Sequence, residues 1–239
     1  MSDKASNAPT PFDFWYAVNN TRIVLKPKRH LETFGNTLLN YVLVSEMMDS
    51  VNQIRIREGR MQAAQPQIIA PQSYSKMMLE GFGEEAEQYA NWLREHEQHI
   101  HILRYGYTLR QESLRETIVT DSLEAVLARV KTDYAKRQDP FRAVVQGVDT
   151  PWDVCLVKLF WQVIQESVVP NVREMAQRNL LERRDGIPLG VRETIEADFA
   201  EAQQDPAKVQ PLGQKLQAQG LFEYYQDRFF ALVRSHRGG

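Results

Sequence analysis

Arg94 to Tyr107 reads REHEQHIHILRYGY, with His96, His99 and His101 placed beside Glu95 and Glu97. Imidazole and carboxylate are zinc-ligand chemistry, but zinc wants three or four ligands in a tetrahedral shell at roughly 2.0 to 2.3 Å. Spacing therefore decides. The helical metalloprotease pattern sets two histidines four apart with a glutamate between them, whereas His96 and His99 are three apart. Counting back from Tyr107 in steps of three and four gives Leu103, Ile100, His96, Leu93, Tyr89 and Ala86, one apolar stripe along a helix that includes His96. His99 falls one step round, beside Trp92 and Leu103, and His101 falls on the opposite side. Only His96 and His99 can converge on one ion, and no second element supplies the remaining ligands. The spacing thus favours a packed seam, with a buried His96 hydrogen-bonded to a side chain, over a metal site at His96 and His99. No cofactor is implied.

The second candidate is basic. Lys26, Lys28 and Arg29, followed by His30, lie just after a strand-like stretch, and Arg55, Arg57 and Arg60 lie in NQIRIREGR. Arginine forks hold phosphate or carboxylate in two places at once. Side chains alternate across a strand, so Ile54 and Ile56 point one way while Arg55 and Arg57 point the other, giving a core face and a basic face. If the strands pair as a simple meander, both basic groups share one exposed sheet face that suits an anionic ligand or nucleic acid. Aromatics are sparse among them, which argues against stacking on single-stranded bases. A solvated face whose charges blunt a sheet edge is the favoured account.

Nucleophilic chemistry has one candidate, Cys155, in the run DVCLVKLFWQVI. It sits early in a helix, where a thiolate is favoured, but among apolar neighbours that favour an inert buried thiol. Neither a glycine-rich phosphate loop, a GxSxG elbow nor a CxxC pair occurs. Carboxylate pairs such as Asp121 with Glu124 and Glu193 with Glu196 fall in helix first turns, where the dipole favours acids.

The elements that must position these residues are bounded by composition. The 239 residues include 43% apolar and 25% charged side chains, the balance of a soluble globular chain. Charges of 29 basic and 31 acidic residues leave a net of −2, so no global field draws nucleic acid or anionic lipid. A single cysteine excludes an internal disulfide. The opening MSDKASNAPTPFDFWY lacks a signal-peptide core, and the longest apolar run is interrupted well short of the roughly 18 residues of a membrane span. A cytoplasmic protein is expected, with no membrane partner.

Residues 1–11 read as a flexible arm, and the aromatics Phe12, Phe14, Trp15 and Tyr16 as an anchor on the body. From Thr21 to about Ala70, TRIVLK, TLLNYVLVSEM and VNQIRIREGRMQA read as strands of a small antiparallel meander, with turns at Asp49–Ser50 and Glu58–Gly59. A short helix is expected from Ser73 to Leu79, and another from near Gly83, opened by the acidic turn EEAE, to about Leu103. YGYTLRQESLRETIVT begins as a strand, although Leu114 and Ile118 are spaced as in a helix. Asp121 or Ser122 caps a helix with Leu123, Val126, Leu127 and Val130 on its apolar stripe. Thr150-Pro151-Trp152-Asp153 opens a central helix that Pro170 should kink or end. DGIPLG, at 185–190, reads as a linker, followed by three helical segments.

The predicted fold is α+β: a small N-terminal antiparallel β-meander packed on a mainly α-helical body, with a C-terminal helical appendage. Residues 12–72 form the β segment, 73–184 the helical body of the same domain, and 191–239 the appendage. Without a catalytic constellation, a non-catalytic scaffold or protein-interaction module is the leading expectation. Its apolar surfaces, Trp152 to Trp161 and Phe222 to Phe230, suit a protein partner or a homo-oligomer. The alternatives are an RNA- or ribosome-associated protein using the basic hairpin face, and a metal-assisted enzyme of an unfamiliar kind.

Overall fold

The computed structural model describes residues 11–50, 52–68, 79–80, 84–96, 105–106 and 109–237. The chain divides into two compact units, one made of residues 1–65, 77–100 and 107–171, the other of 66–76, 101–106 and 172–239. Its elements are α1 (Pro11–Asn19), β1 (Arg22–Leu25), β2 (Thr37–Glu46), β3 (Gln53–Ala63), β4 (Gln67–Ile68), β5 (Leu79–Glu80), α2 (Glu84–His96), β6 (Tyr105–Gly106), β7 (Leu109–Thr120), α3 (Leu123–Lys136), β8 (Arg142–Gly147), α4 (Trp152–Gln177), β9 (Arg183–Arg184), β10 (Ile187–Pro188), α5 (Leu189–Gln204), α6 (Val209–Ala218) and α7 (Phe222–Arg237). The fold is α+β, with strands toward the N-terminus and helices toward the C-terminus. No helix among the described residues is long and apolar enough to cross a membrane.

The first unit is built on a six-stranded sheet ordered β1-β8-β2-β3-β7-β5. β2 and β3 form the expected hairpin, running from Thr37 opposite Ala63 to Glu46 opposite Ile54. The simple meander ends there. β8 inserts between β1 and β2, antiparallel to the first and parallel to the second. Its Ala143, Val144 and Val145 are fully buried, the continuous apolar run of a strand covered on both faces. So short a run cannot be told from a helix by periodicity. Glu58–Gly59 is no turn either: the register passes through it, with Gly59 opposite Tyr41 on one side and Leu114 on the other. The strand expected only at the entry of this segment continues as β7 through Thr120, where pairing with β3 overrides the helical spacing of Leu114 and Ile118.

One sheet face packs on α3, where Val42, Val44, Ile54 and Val144 meet Val126, Leu127 and Tyr134. Ser122 is the cap, its Oγ accepting from the Ala125 amide at 3.2 Å. The other face meets α4. A Cβ at Gly147 would lie 2.6 Å from the Cys155 sulfur and 2.9 Å from Leu43, so this approach of helix to strand requires glycine. Val154, Cys155, Leu156, Val157, Leu159 and Phe160 are all fully buried, each large apolar side chain contributing about 1.5–3 kcal/mol. Pro170 does not end α4, which continues to Gln177. Beyond the proline, the burial of Asn171 and Met175 sustains the helix against the lost amide bond.

α1 contains the whole of the expected aromatic anchor. Phe14 lies 6.0 Å from Tyr89 and Trp15 4.6 Å from Trp92, both of α2, while Tyr16 is exposed. Lys158 fastens the end of α1 by donating to the carbonyls of Val18 at 2.6 Å and Thr21 at 2.8 Å.

In the second unit, Asp185-Gly186 turns the β9–β10 hairpin with φ of 52° and 78°, the conformation that Asp-Gly favours in a two-residue hairpin. α5, α6 and α7 then enclose Val191, Ile195, Phe199, Leu212, Leu216, Tyr225 and Leu232. These are the three C-terminal helical segments that the amphipathic patterning predicts. The helix expected over Ser73 to Leu79 lies largely outside the described residues, as does the continuation of α2 beyond His96.

Candidate functional site

β3 and the segment leading into α4 converge on the densest charged constellation of the first unit. Alternation in β3 sends Ile54 and Ile56 toward α3 and Arg55 and Arg57 to the opposite face, as expected. That second face is not a solvated basic surface. Arg57 is only 3% exposed and Asp149 8%. Arg57 donates from Nη2 to Asp149 Oδ1 at 3.0 Å and to the Asp149 carbonyl at 3.3 Å, from Nη1 to Ser45 Oγ at 3.3 Å, and from Nε to Glu116 Oε2 at 3.2 Å. Its guanidinium carbon also lies 5.1 Å from the centre of the Trp152 ring, within the range of a cation–π contact. Arg55 shares both acids, with Nη1 2.8 Å from Asp149 Oδ1 and Nε 3.0 Å from Glu116 Oε1. Two guanidiniums and two carboxylates therefore close on each other. One edge stays wet at Glu116, whose side chain is 39% exposed.

Such a network is a clamp. The Arg57 hydrogens that would grip a phosphate are already given to carboxylate, hydroxyl and carbonyl oxygens. A buried ion pair depends on each partner, because removing one leaves the other charge desolvated and unpaired. The clamp thus joins β2, β3 and β7 to the turn that starts α4.

The other predicted basic residues are not gathered here. β8 and β2 separate β1 from β3, a displacement of roughly 14 Å at the usual strand spacing. Lys26 pairs with Glu166 of α4, at about half exposure on both sides. Arg29 pairs with Glu32 at 3.2 Å and lies over the Phe141 ring at 5.5 Å. Lys28 is exposed, and its backbone amide donates to the Pro140 carbonyl at 2.8 Å. Arg60 is exposed and, by alternation, faces away from Arg55 and Arg57. The shared basic face built on a simple meander is therefore corrected, because the meander itself is interrupted by β8.

Of the histidine candidates, His96 is the last residue of α2, and His99 lies outside the described residues. Ala86 and Tyr89 of the proposed seam are buried. Cys155 is fully buried, and burial pushes its thiol up from the ordinary 9.0, with smaller opposing effects from hydrogen bonds that include the Thr21 side chain. That is the environment of an unreactive thiol.

Sequence reasoning missed the two acids. Asp149 directly precedes the recognised helix start at Thr150-Pro151, and Glu116 sits in β7 directly opposite Arg57. No local spacing links either acid to the arginines, which lie 59 to 94 positions away. Compared with known proteins, the chain matches no family model, no curated protein and no solved structure.

Proposed function

We propose that this chain is a non-catalytic protein-interaction module whose docking element is the outward face of α7. One contrast between its two aromatic-rich helices supports the reading. The Trp152 to Trp161 stretch is consumed by the core, with Trp161 only 9% exposed. α7 instead leaves Tyr224 51% and Phe230 43% exposed, although Phe230 stands in an aromatic group with Phe222 at 6.2 Å and Phe229 at 5.9 Å. Aromatics held by neighbouring rings are pre-ordered, so they bury area on a partner at little entropic cost, and aromatics are enriched at interfaces for that reason.

Nucleic-acid recognition through Arg55 and Arg57 draws less support, because both guanidiniums are engaged by Asp149 and Glu116. A photo-crosslinking amino acid at position 230, with position 136 of α3 as an exposed control, tests the interaction reading in living cells. A discrete protein adduct from 230 and none from 136 is expected. Absence of any protein adduct at 230, or equal labelling from both positions, would overturn the proposal.

A further inference from the structure

α7 shows one face to its own unit and another to solvent, and the solvent face has an order along the helix. Leu221, just before α7, and Tyr225 and Leu232 within it are buried. The His236 ring approaches the Ala202 carbonyl at 2.7 Å. On the opposite side, Glu223, Asp227, Phe230 and Arg234 follow one another in steps of four, three and four, a single stripe of neighbours, and all are exposed. Ala231 and Tyr224 are exposed on the same side. Acids thus occupy the N-terminal half of the stripe, an aromatic and a small residue its middle, and a base its C-terminal half.

That order is complementary to itself when reversed. Asp227 and Arg234 lie equally far on either side of the Phe230–Ala231 step. An antiparallel copy of the helix, related by a two-fold axis through that step, sets Asp227 against the partner's Arg234 and Arg234 against the partner's Asp227. The same operation brings Phe230 beside the partner's Phe230 and Ala231 beside the partner's Ala231, aromatic against aromatic on one flank of the axis and small against small on the other. A parallel copy would oppose acid to acid and base to base. Two-fold interfaces need self-complementarity of this kind, and charge arranged so fixes direction and register.

We infer that α7 is a self-pairing helix, and that two copies of this chain associate through it in an antiparallel two-fold arrangement centred on Phe230 and Ala231. The inference rests on the interaction reading above and names its partner as a second copy. Sedimentation equilibrium across roughly a hundredfold range of concentration should find a dimer. Asp227→Arg and Arg234→Asp should each weaken association by at least roughly tenfold, since each places like charges together twice. An equimolar mixture of the two variants should regain wild-type association, because both pairs across the mixed dimer are again opposite in sign. Misfolded variants would not recover on mixing. A monomer at every concentration, a dimer indifferent to both reversals, or single losses that mixing does not repair would each overturn self-pairing. A monomer whose position 230 still crosslinks to a different protein would remove the second copy as partner and leave the interaction reading standing.

Discussion

The residues KPKR at 26–29 and RIREGR at 55–60 are alike on the page: short, basic and beside a strand. In the fold they are opposites. Arg55 and Arg57 are drawn into a closed network with Asp149 and Glu116, at side-chain exposures of 20% and 4%. Lys26 and Arg29 are each paired with one carboxylate near solvent, at 49% and 57%. Basic residues in a sequence do not define a basic surface. Which carboxylates the fold brings to them decides whether they are a clamp, a fringe or a binding site. Burial also sets the energetic scale, since an exposed pair is screened by water while a desolvated charge has no substitute for its partner.

Asp149→Ala breaks the comparison most severely. It strips the buried Arg57 of its buried counter-charge, leaving only the half-wet Glu116, and should cost about 3–5 kcal/mol in chemical denaturation. A loss below about 1 kcal/mol, the scale of an exposed pair, would mean that the clamp contributes no more than the surface pairs do. Tyr134→Phe comes next, at about 1 kcal/mol, because the Tyr134 hydroxyl lies 2.6 Å from the Arg142 carbonyl and 3.2 Å from that of Lys26. It thereby ties the exposed basic segment to the sheet.

The same tyrosine gives a pH signature. Burial, reinforced by Asp139 and opposed by Arg142, holds its phenol above the ordinary 10.0. The folded state then keeps a proton that the unfolded state releases, so this phenol's contribution to stability is intact below pH 10.0 and is lost as pH rises beyond it. Tyr134→Phe should shrink that alkaline loss in melting curves. Some loss should remain, because burial also pushes up the Cys155 thiol and the Tyr225 phenol, with the same sign. An unchanged alkaline slope would refute this role for Tyr134.

Glu116→Gln sharpens the contrast within the clamp. Its wet edge keeps the cost to about 0.5–1 kcal/mol, well short of the Asp149 effect. Lys26→Ala should be smallest, at most about 0.5 kcal/mol and smaller still in high salt. A Lys26 effect as large as that of Glu116 would erase the distinction between fringe and clamp.

Several elements were legible because their signals are local. Ser122 caps α3, and Leu123, Val126, Leu127 and Val130 form its packed stripe. DGIPLG was legible only as a break: it reads as a linker, whereas Asp185-Gly186 turns the β9–β10 hairpin and Leu189 already opens α5. The outward and inward alternation of Ile54, Arg55, Ile56 and Arg57 follows from strand geometry alone. The illegible parts were those in which a neighbour arrives from far along the chain. β8 reads as three apolar residues until it is seen between β1 and β2, and Pro170 reads as a kink or an end until the burial of Asn171 and Met175 beyond it is known.

By itself, then, the sequence determined an α+β chain, the two faces of β3, and the cap and apolar stripe of α3, all of which depend on residues within a few positions of each other. Only the tertiary structure decided that Arg55 and Arg57 meet Asp149 and Glu116 across 59 to 94 positions, and that α7 leaves Phe230 exposed while α4 buries Phe160 and Trp161. The physical reason is that pairing over such separations is selected by how the whole core packs, and local spacing carries no record of that choice.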